Sequence, residues 1–381
     1  MSVKVLTYNP RIVEWAITRA DTDLESLKVK QPLGKIEQWL TKEGAPTLKQ
    51  LEYFAKTVHI PLGYLFLNEP PKETLPLTFF RSPNNPKKKF SLGLYETVQN
   101  IRERQEWLTD YKKDQGHDVL SYIGTASLDD DIRKTAQRLY KILQIPRAWY
   151  WELRTREESL AYLIEKIEKA GIFTSFSGVV NGNTHWPIDR EEFRGFALVN
   201  EYAPFVFVNA NDAQSAQIFT LIHEVVHVLV GASAGTDLFQ LLPTQDPLEQ
   251  FCDAVAAEFL VPSDEFLQEW TKTKNFERLS RKFKISTLLL AKKAKDLDLI
   301  SNEVYLDHYT EVIRKWQELK SSDNKEKTGG NYYYTTVRRV GAQFIRYVES
   351  AVKSDQLLYR DAYQMLRMKG DSYNRLVNEY I

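Results

Sequence analysis

Leu48, Leu51, Phe54, Ala55 and Val58 recur at the spacing of one helix face, directly after the turn signal Gly44-Ala-Pro-Thr47. Upstream, Pro10 opens a shorter helix, residues 21–23 break it, and Gln31-Pro32 breaks the chain again, so residues 9–67 read as a small helical domain. A Pro-rich stretch from Asn68 to Pro86, closed by Lys87-Lys88-Lys89, reads as a solvated linker. From Ser91 onward Leu94, Val98, Ile101 and Leu108 describe a long amphipathic helix; a second runs from a Ser127 cap through Ile132, Ala136, Leu139 and Leu143. A third helix, about 156–170, stops at Gly171. Apolar β-like runs follow at 172–176, 193–198 and 205–208, with a turn at Asn181-Gly182-Asn183, which predicts a helix packed on a small antiparallel sheet. Asn211-Asp212 offers the N-cap of a helix over 213–230 that Gly231 ends, and another helix spans 249–260 and stops at Pro262. Beyond it the pattern is helical to Ile381, apart from the polar, Gly-containing stretch 321–330.

With 381 residues at 43% hydrophobic, the chain has enough apolar material for two or three domains. Lys+Arg 51 against Asp+Glu 51 excludes a whole-molecule polycation, so any nucleic-acid partner must be met by a local patch. The single cysteine, Cys252, excludes an intrachain disulfide framework and fits a reducing compartment. The start has no apolar signal region and no run approaches the ~20 apolar residues of a membrane span, so the expectation is a cytoplasmic protein with no membrane partner.

Candidate chemistry concentrates in His223-Glu224-Val225-Val226-His227, inside the helix expected over 213–230. Histidines four residues apart project from one helix face and can meet a single metal ion. Zinc takes imidazole nitrogen and carboxylate oxygen, and a catalytic site keeps three protein ligands with a fourth position for water, so one Zn2+ per chain is expected. Glu224 stands beside that position as general base, then acid. The next helix supplies acids for the third ligand: Glu249, 22 residues past His227, is favoured by spacing over Asp246, Asp253 and Glu258. Asp253, one turn beyond Glu249, is placed to hydrogen-bond a ligating imidazole and fix its tautomer, whereas Glu258 reads as part of a solvated helix face.

These residues, with Phe193-Arg-Gly-Phe-Ala-Leu198, Val208-Asn209 and the segment from Glu249 to Pro262, resemble the ImmA/IrrE family of zincin-type metallopeptidases over roughly residues 155–310. The resemblance implies a protease acting on a transcriptional repressor, with zinc on His223, His227 and Glu249 and catalysis by Glu224. The stretch from Thr47 to Phe66 is similar to the end of an Xre-type helix-turn-helix, as in composite Xre and ImmA/IrrE regulators that also occur beside toxin genes. Its DNA-reading part departs from that pattern, with Leu40 after Trp39 and with Pro32 and Gly34 in the turn. If a recognition helix is present, Lys30, Gln31, Lys35 and Gln38 are the candidates for base edges and phosphates of double-stranded DNA.

The expected fold class is mainly α, α+β. It comprises a helix-turn-helix domain (1–70), a linker and helical scaffold (71–154), a zincin-like domain (155–265), a helix-turn-helix-like subdomain (266–320) and a C-terminal helical region (331–381). The expected function is a zinc-dependent regulatory endopeptidase in which strand 205–208 pairs with an extended protein substrate. The alternative, of a different class, is a DNA-binding regulator or antitoxin-like protein, partnered by a cognate toxin, whose zincin domain is a metal-stabilised interaction module. Among lesser features, 279–300 reads as a second helix-turn-helix used for packing, His185 as structural, Cys252 as a small buried helix residue, and Tyr332, Tyr333, Tyr334 and Tyr359 as packing aromatics.

Overall fold

The computed structural model describes residues 3–73, 78–79, 90–236, 246–322 and 331–381. It divides into two compact units, Met1–Leu75 with Lys89–Tyr95, and Pro76–Lys88 with Glu96–Ile381. The parts expected from the peptidase-like domain to the C-terminus therefore lie in one unit. Most of the expected linker, and residues 323–330 of the expected polar interruption, lie outside the described residues.

In the first unit α1 (Pro10–Arg19), α2 (Leu24–Lys28), α3 (Glu37–Thr41), α4 (Leu48–Thr57) and a 3-10 turn at Leu62–Phe66 enclose one apolar core. Local signals account for the longer helices. Asn9 Oδ1 accepts from the Arg11 amide ahead of Pro10, and Thr47 and Gln50 form a reciprocal capping box at the start of α4. Trp39 packs edge-on against Phe54 with ring centres 6.0 Å apart, while Tyr8 donates its hydroxyl to the Trp39 carbonyl at 2.9 Å. Lys30, Gln31, Lys35 and Gln38 are all exposed, but no one helix carries them. Residues 29–36 are turn, and only Gln38 lies on the five-residue α3. Pro32 lacks an N–H and disfavours helix at Gln31, so the expected recognition helix is cut to little more than one turn.

The second unit contains β1 (Thr78–Phe79), α5 (Leu92–Asp114), whose first four residues belong to the other unit, α6 (Ile132–Leu143) and α7 (Arg156–Lys169). It continues through β2 (Phe173–Ser177), β3 (Gly195–Leu198), β4 (Phe205–Asn209), α8 (Gln214–Val230) and β5 (Ala234–Thr236). Helices α9 (Pro247–Leu260), α10 (Ser263–Lys272), α11 (Phe276–Phe283), α12 (Thr287–Asp296) and α13 (Asn302–Ser322) follow, then α14 (Tyr332–Val340), α15 (Ala342–Lys353), α16 (Tyr359–Met365) and α17 (Gly370–Tyr380). The mainly helical α+β class is as expected. Among the described residues no helix is long and apolar enough to cross a membrane.

The five strands run in the order β1-β5-β3-β4-β2, and the sheet is mixed rather than antiparallel. β3 lies antiparallel to both β4 and β5, but β2 pairs in parallel with β4, Phe173 opposite Phe205 and Ser177 opposite Asn209. The turn at 181–183 therefore closes no hairpin. The chain from 178 to 194 carries it past β4 to begin β3, and only the β3–β4 pair is a local hairpin. β4 is paired on both sides, so it has no free edge for a substrate strand, which corrects the expected pairing at 205–208.

Strand alternation divides the sheet into two faces. Ala197, Val206 and Val208 join the core around α8, whereas Phe205, Phe207 and Phe196 face away; Phe205 meets Phe344 of α15, and Phe207 stacks on Phe196 at 5.0 Å. On that far side the buried Gln105 of α5 donates to the carbonyls of Leu198 and Ala203 at 2.7 and 2.9 Å, clamping the hairpin.

Two expected caps differ. Asp131, not Ser127, caps α6 by accepting from the Lys134 amide at 2.8 Å. The residue preceding α8 is Ala213 without a side-chain cap, because Asn211 instead donates to the carbonyls of Gly178 and Ile188 at 2.7 and 2.8 Å, and Asp212 accepts from the Ala213 amide. In the segment expected to be helix-turn-helix-like, Lys284 adopts the left-handed conformation after α11, Ser286 caps α12, and both helices pack into the core shared with α8 and α9.

Glu258 of α9 is not on a solvated face. It is buried, pairs with Lys293 of α12, and accepts from the Ser263 amide at 3.1 Å and the Ser263 hydroxyl at 2.5 Å. Burial, opposed by Glu258, lowers the Lys293 ammonium below its ordinary range. Removing one partner of such a pair strands the other charge, so Lys293→Met is expected to cost about 3 kcal/mol in urea unfolding. A loss below about 1 kcal/mol would show that Ser263 alone satisfies the carboxylate.

Candidate metal centre

α8 is apolar on nearly every side, which is why it runs through the middle of the unit, and every residue from Gln217 to Leu229 is buried. Such a helix can carry polar side chains only where another element supplies their partners. The four-residue spacing brings the His223 and His227 rings to 4.8 Å between centres, with their Nε2 atoms 3.0 Å apart. α9 packs across them and supplies the partners. Its N-cap is Asp246, whose Oδ1 accepts from the Leu248 amide at 2.8 Å, and Glu249 stands in the first turn.

Glu249 directs one oxygen to each histidine: Oε2 lies 3.2 Å from His223 Nε2 and Oε1 lies 3.2 Å from His227 Nε2. Asp253, one turn on, has Oδ1 3.0 Å from His223 Nδ1. Of the acids weighed for the third ligand, Glu249 thus faces both imidazoles, Asp246 caps the helix, Asp253 holds the back of one ring, and Glu258 is paired with Lys293.

The donor set fits a zinc-like cation. Donors at the corners of a tetrahedron with bonds of ~2.0–2.1 Å lie roughly 3.3 Å from one another. Here the two Nε2 atoms are 3.0 Å apart and each lies 3.2 Å from a different Glu249 oxygen, all three residues are buried, and they form the one such group of three among the described residues. With a cation held there, Asp253 accepting from Nδ1–H would leave the His223 Nε2 lone pair for that cation.

The electrostatics of the polypeptide alone agree. Burial works against the Glu249 carboxylate, but hydrogen bonds from His223 and His227 outweigh it and hold the group down to about 2. Burial likewise opposes charge on His223, yet Asp253 and Glu249 raise it well above the usual imidazole range. For His227 burial prevails, with His223 adding to it, and its value falls. The pocket therefore stabilises positive charge at the point where Glu249 faces the rings.

Glu224 is fully buried on the same helix, and β3 approaches it at Gly195. A Cβ added at Gly195 would lie 2.6 Å from the Thr220 methyl, 2.8 Å from the Phe207 carbonyl oxygen and 3.0 Å from Glu224 Oε1. Only glycine lets the strand come this close to the carboxylate.

Two features escaped the sequence reading. Gly195 stands in the segment 193–198 that carries the family resemblance, but its closeness to Glu224 depends on a strand and a helix meeting. Cys252 was read as packing, yet its Sγ lies 3.7 Å from His227 Nδ1, the ring atom turned away from Glu249. Its one signal was adjacency to Asp253 on a helix facing the histidines. Burial, followed by Glu249 and Glu224, raises the Cys252 thiol well above its ordinary range, so it stays protonated. His185 is exposed in the β2–β3 connection, where its amide donates to Asn183 Oδ1 at 3.0 Å. Lys30, Gln31, Lys35 and Gln38 belong to the other unit.

Residues 169–295 match the Peptidase_M78 family model, an IrrE N-terminal-like domain. The match contains β2 to β5, α8 and α9, and so the whole candidate centre; it supports a metallopeptidase-type domain and runs past residue 265, where the zincin-like domain was expected to end. Residues 340–379, from the end of α14 through most of α17, match the model of a domain of unknown function. No curated protein matches the chain.

For this IrrE-like domain, zinc binding is expected at one ion per chain by metal analysis, lost in His223→Ala/His227→Ala and weakened in Glu249→Ala. Asp253→Asn is expected to keep the stoichiometry and lower zinc affinity about 10- to 100-fold in competition with a chelator. Unchanged affinity would show that the Asp253 bond does not orient His223.

Proposed function

We propose that this chain is a zinc-dependent regulatory endopeptidase that cleaves a protein substrate, of the kind a transcriptional repressor represents. The observation that carries this reading is the placement of Glu224: one residue from a ligating histidine, fully buried, and pressed against β3 at Gly195.

His223, His227 and Glu249 would hold the ion, and zinc bound there would polarise a peptide carbonyl and acidify water. Glu224 takes the proton from the attacking water and passes it to the leaving amine, first base and then acid. Asp253 fixes the His223 tautomer, and β3 keeps Glu224 from swinging away.

The N-terminal unit is proposed to dock the substrate protein or to hold the enzyme near DNA. Its five-residue α3 and turn-borne Lys30, Gln31 and Lys35 favour docking over base reading, because groove recognition needs side chains aligned along one helix. The burial of all four site residues supports a second reading, in which the metal stabilises an interaction module of a DNA-binding or antitoxin-like regulator.

Glu224→Gln separates the two. Under the first reading it retains zinc and loses cleavage of a co-expressed substrate about 10²- to 10⁴-fold, measured by product accumulation. Full cleavage by the zinc-loaded variant would refute the endopeptidase mechanism. Gly195→Ala is expected to lower cleavage with zinc content unchanged, since the added methyl meets Glu224 and not the ligands.

A further inference from the structure

On the sheet face away from α8, three arginines from three separate elements line one cleft: Arg104 of α5, Arg339 of α14 and Arg367 in the turn between α16 and α17. Ser175 of β2, with Asn181 and Gly182 of the β2–β3 connection, completes its wall. The cleft encloses about 310 Å³ counting its open mouth, a size suited to a compact group.

The guanidiniums meet few acceptors and, among the described lining residues, no carboxylate, although Arg339 Nη2 donates to Thr336 Oγ1 at 3.4 Å. Arg104 is only 4% exposed, and its polar contact is a long one, Nη1 to the Arg339 carbonyl at 3.5 Å. The Nε atoms of Arg104 and Arg339 are buried with no hydrogen-bond acceptor among the described residues. Among the described residues no carboxylate lines the cleft. The nearest acids lie at its margin: Glu96 accepts from Asn181 Nδ2 at 3.3 Å, and Glu103 is exposed on the same helix as Arg104. Burial, then the charges of Arg339 and Arg367, push the Arg104 guanidinium down to about 9. Since a guanidinium keeps its proton in proteins, that pressure is a demand for a counter-anion. The ring of Phe344, 5.8 Å from the Arg104 guanidinium, answers it only in part.

The fold also makes room for this cluster. Gly182 has a positive φ of 75°, and a Cβ there would lie 2.5 Å from Arg339 Nη1. Ser175 accepts no role in neutralising charge, because its hydroxyl donates to the Arg339 carbonyl at 2.6 Å and so fixes α14 to the sheet.

We propose that this cleft binds the phosphate group of a small ligand, held by Arg104, Arg339 and Arg367. Arginine forks match phosphate oxygens in pairs, and three converging on a narrow space suit a dianionic tetrahedral group better than a planar monoanion. Inorganic phosphate and a phosphate monoester would both satisfy this chemistry. The bound group would tie α5, α14 and the α16–α17 turn together behind the sheet. The inference does not depend on the metal centre or on peptidase activity.

The test uses the full chain in phosphate-free buffer, with thermal unfolding and calorimetric titration against inorganic phosphate, adenosine monophosphate and adenosine, and sodium chloride matched for ionic strength. The expected result is a saturable rise in Tm with phosphate or the monophosphate but not with adenosine or chloride. A stronger response to the monophosphate identifies an ester ligand, and an equal response identifies the free ion. Arg367→Gln, at the exposed mouth, is expected to weaken binding at least about tenfold without lowering the Tm of the unliganded protein. Arg104→Met is expected to abolish the response while leaving the phosphate-free Tm unchanged or raised, because it removes an uncompensated buried charge. Equal shifts with chloride, no saturable binding, or responses retained in both variants would overturn the proposal. So would a lowered phosphate-free Tm in Arg104→Met together with an undiminished phosphate response.

Discussion

Two imidazoles and three carboxylates buried on an apolar helix pair are the constraint around which the larger unit is arranged. α8 offers no solvent to His223, Glu224 and His227, so their polar atoms must be answered from α9 and β3. Glu249 answers both rings, Asp253 the back of His223, and Cys252 Sγ lies beside the back of His227. α9 is held in that register from outside: Tyr140 of α6 stacks on Phe259 at 4.4 Å and donates to its carbonyl, while Lys293 of α12 pairs with Glu258. The scaffold helices thus act on the chemistry indirectly, by fixing where one acidic turn meets two histidines.

How far this could be read in advance followed the range of the interactions. His223 and His227 share a helix face by backbone periodicity, so four residues of sequence sufficed to pair them. Thr47 and Gln50 likewise declare a helix start within a single turn. Glu249 required a guess that the chain returns antiparallel after 22 residues, and Asp253 followed once that guess was made. What stayed hidden involved contacts between elements distant in the chain. Gly195 against Glu224, Lys293 against Glu258, and the parallel β2–β4 pairing have no periodicity of their own. Asn211 was assigned as a cap from its position, whereas two carbonyls of the β2–β3 connection claim its side chain.

The N-terminal unit shows the reverse case, in which a local feature limits a global expectation. Its core residues Ile36 and Trp39 occupy buried positions, yet Pro32 turns the segment before α3 into successive turns. The hydrophobic spacing of a helix-turn-helix persists while the backbone that would present Lys30, Gln31 and Lys35 along a groove does not form. Packing and DNA reading make separate demands on the same stretch, and only the first is met by apolar spacing.

The mixed sheet then separates two opposite electrostatic requirements. On the α8 face, Glu249 and the two imidazoles turn their lone pairs toward one point and call for a cation. On the other face, Arg104 and Arg339 bury donors without acceptors and call for an anion. Among the described residues no carboxylate lines the arginine cleft, although the chain carries 51 charges of each sign. A protein that needed only stability would gain by pairing or replacing these groups, since uncompensated buried charge is among the most costly features of a core. β4 lies between the two sites, with Val206 and Val208 toward the first and Phe207 toward the second. The same strand thus borders both sites, for Phe207 lines the arginine cleft while its carbonyl oxygen faces Gly195 beside Glu224.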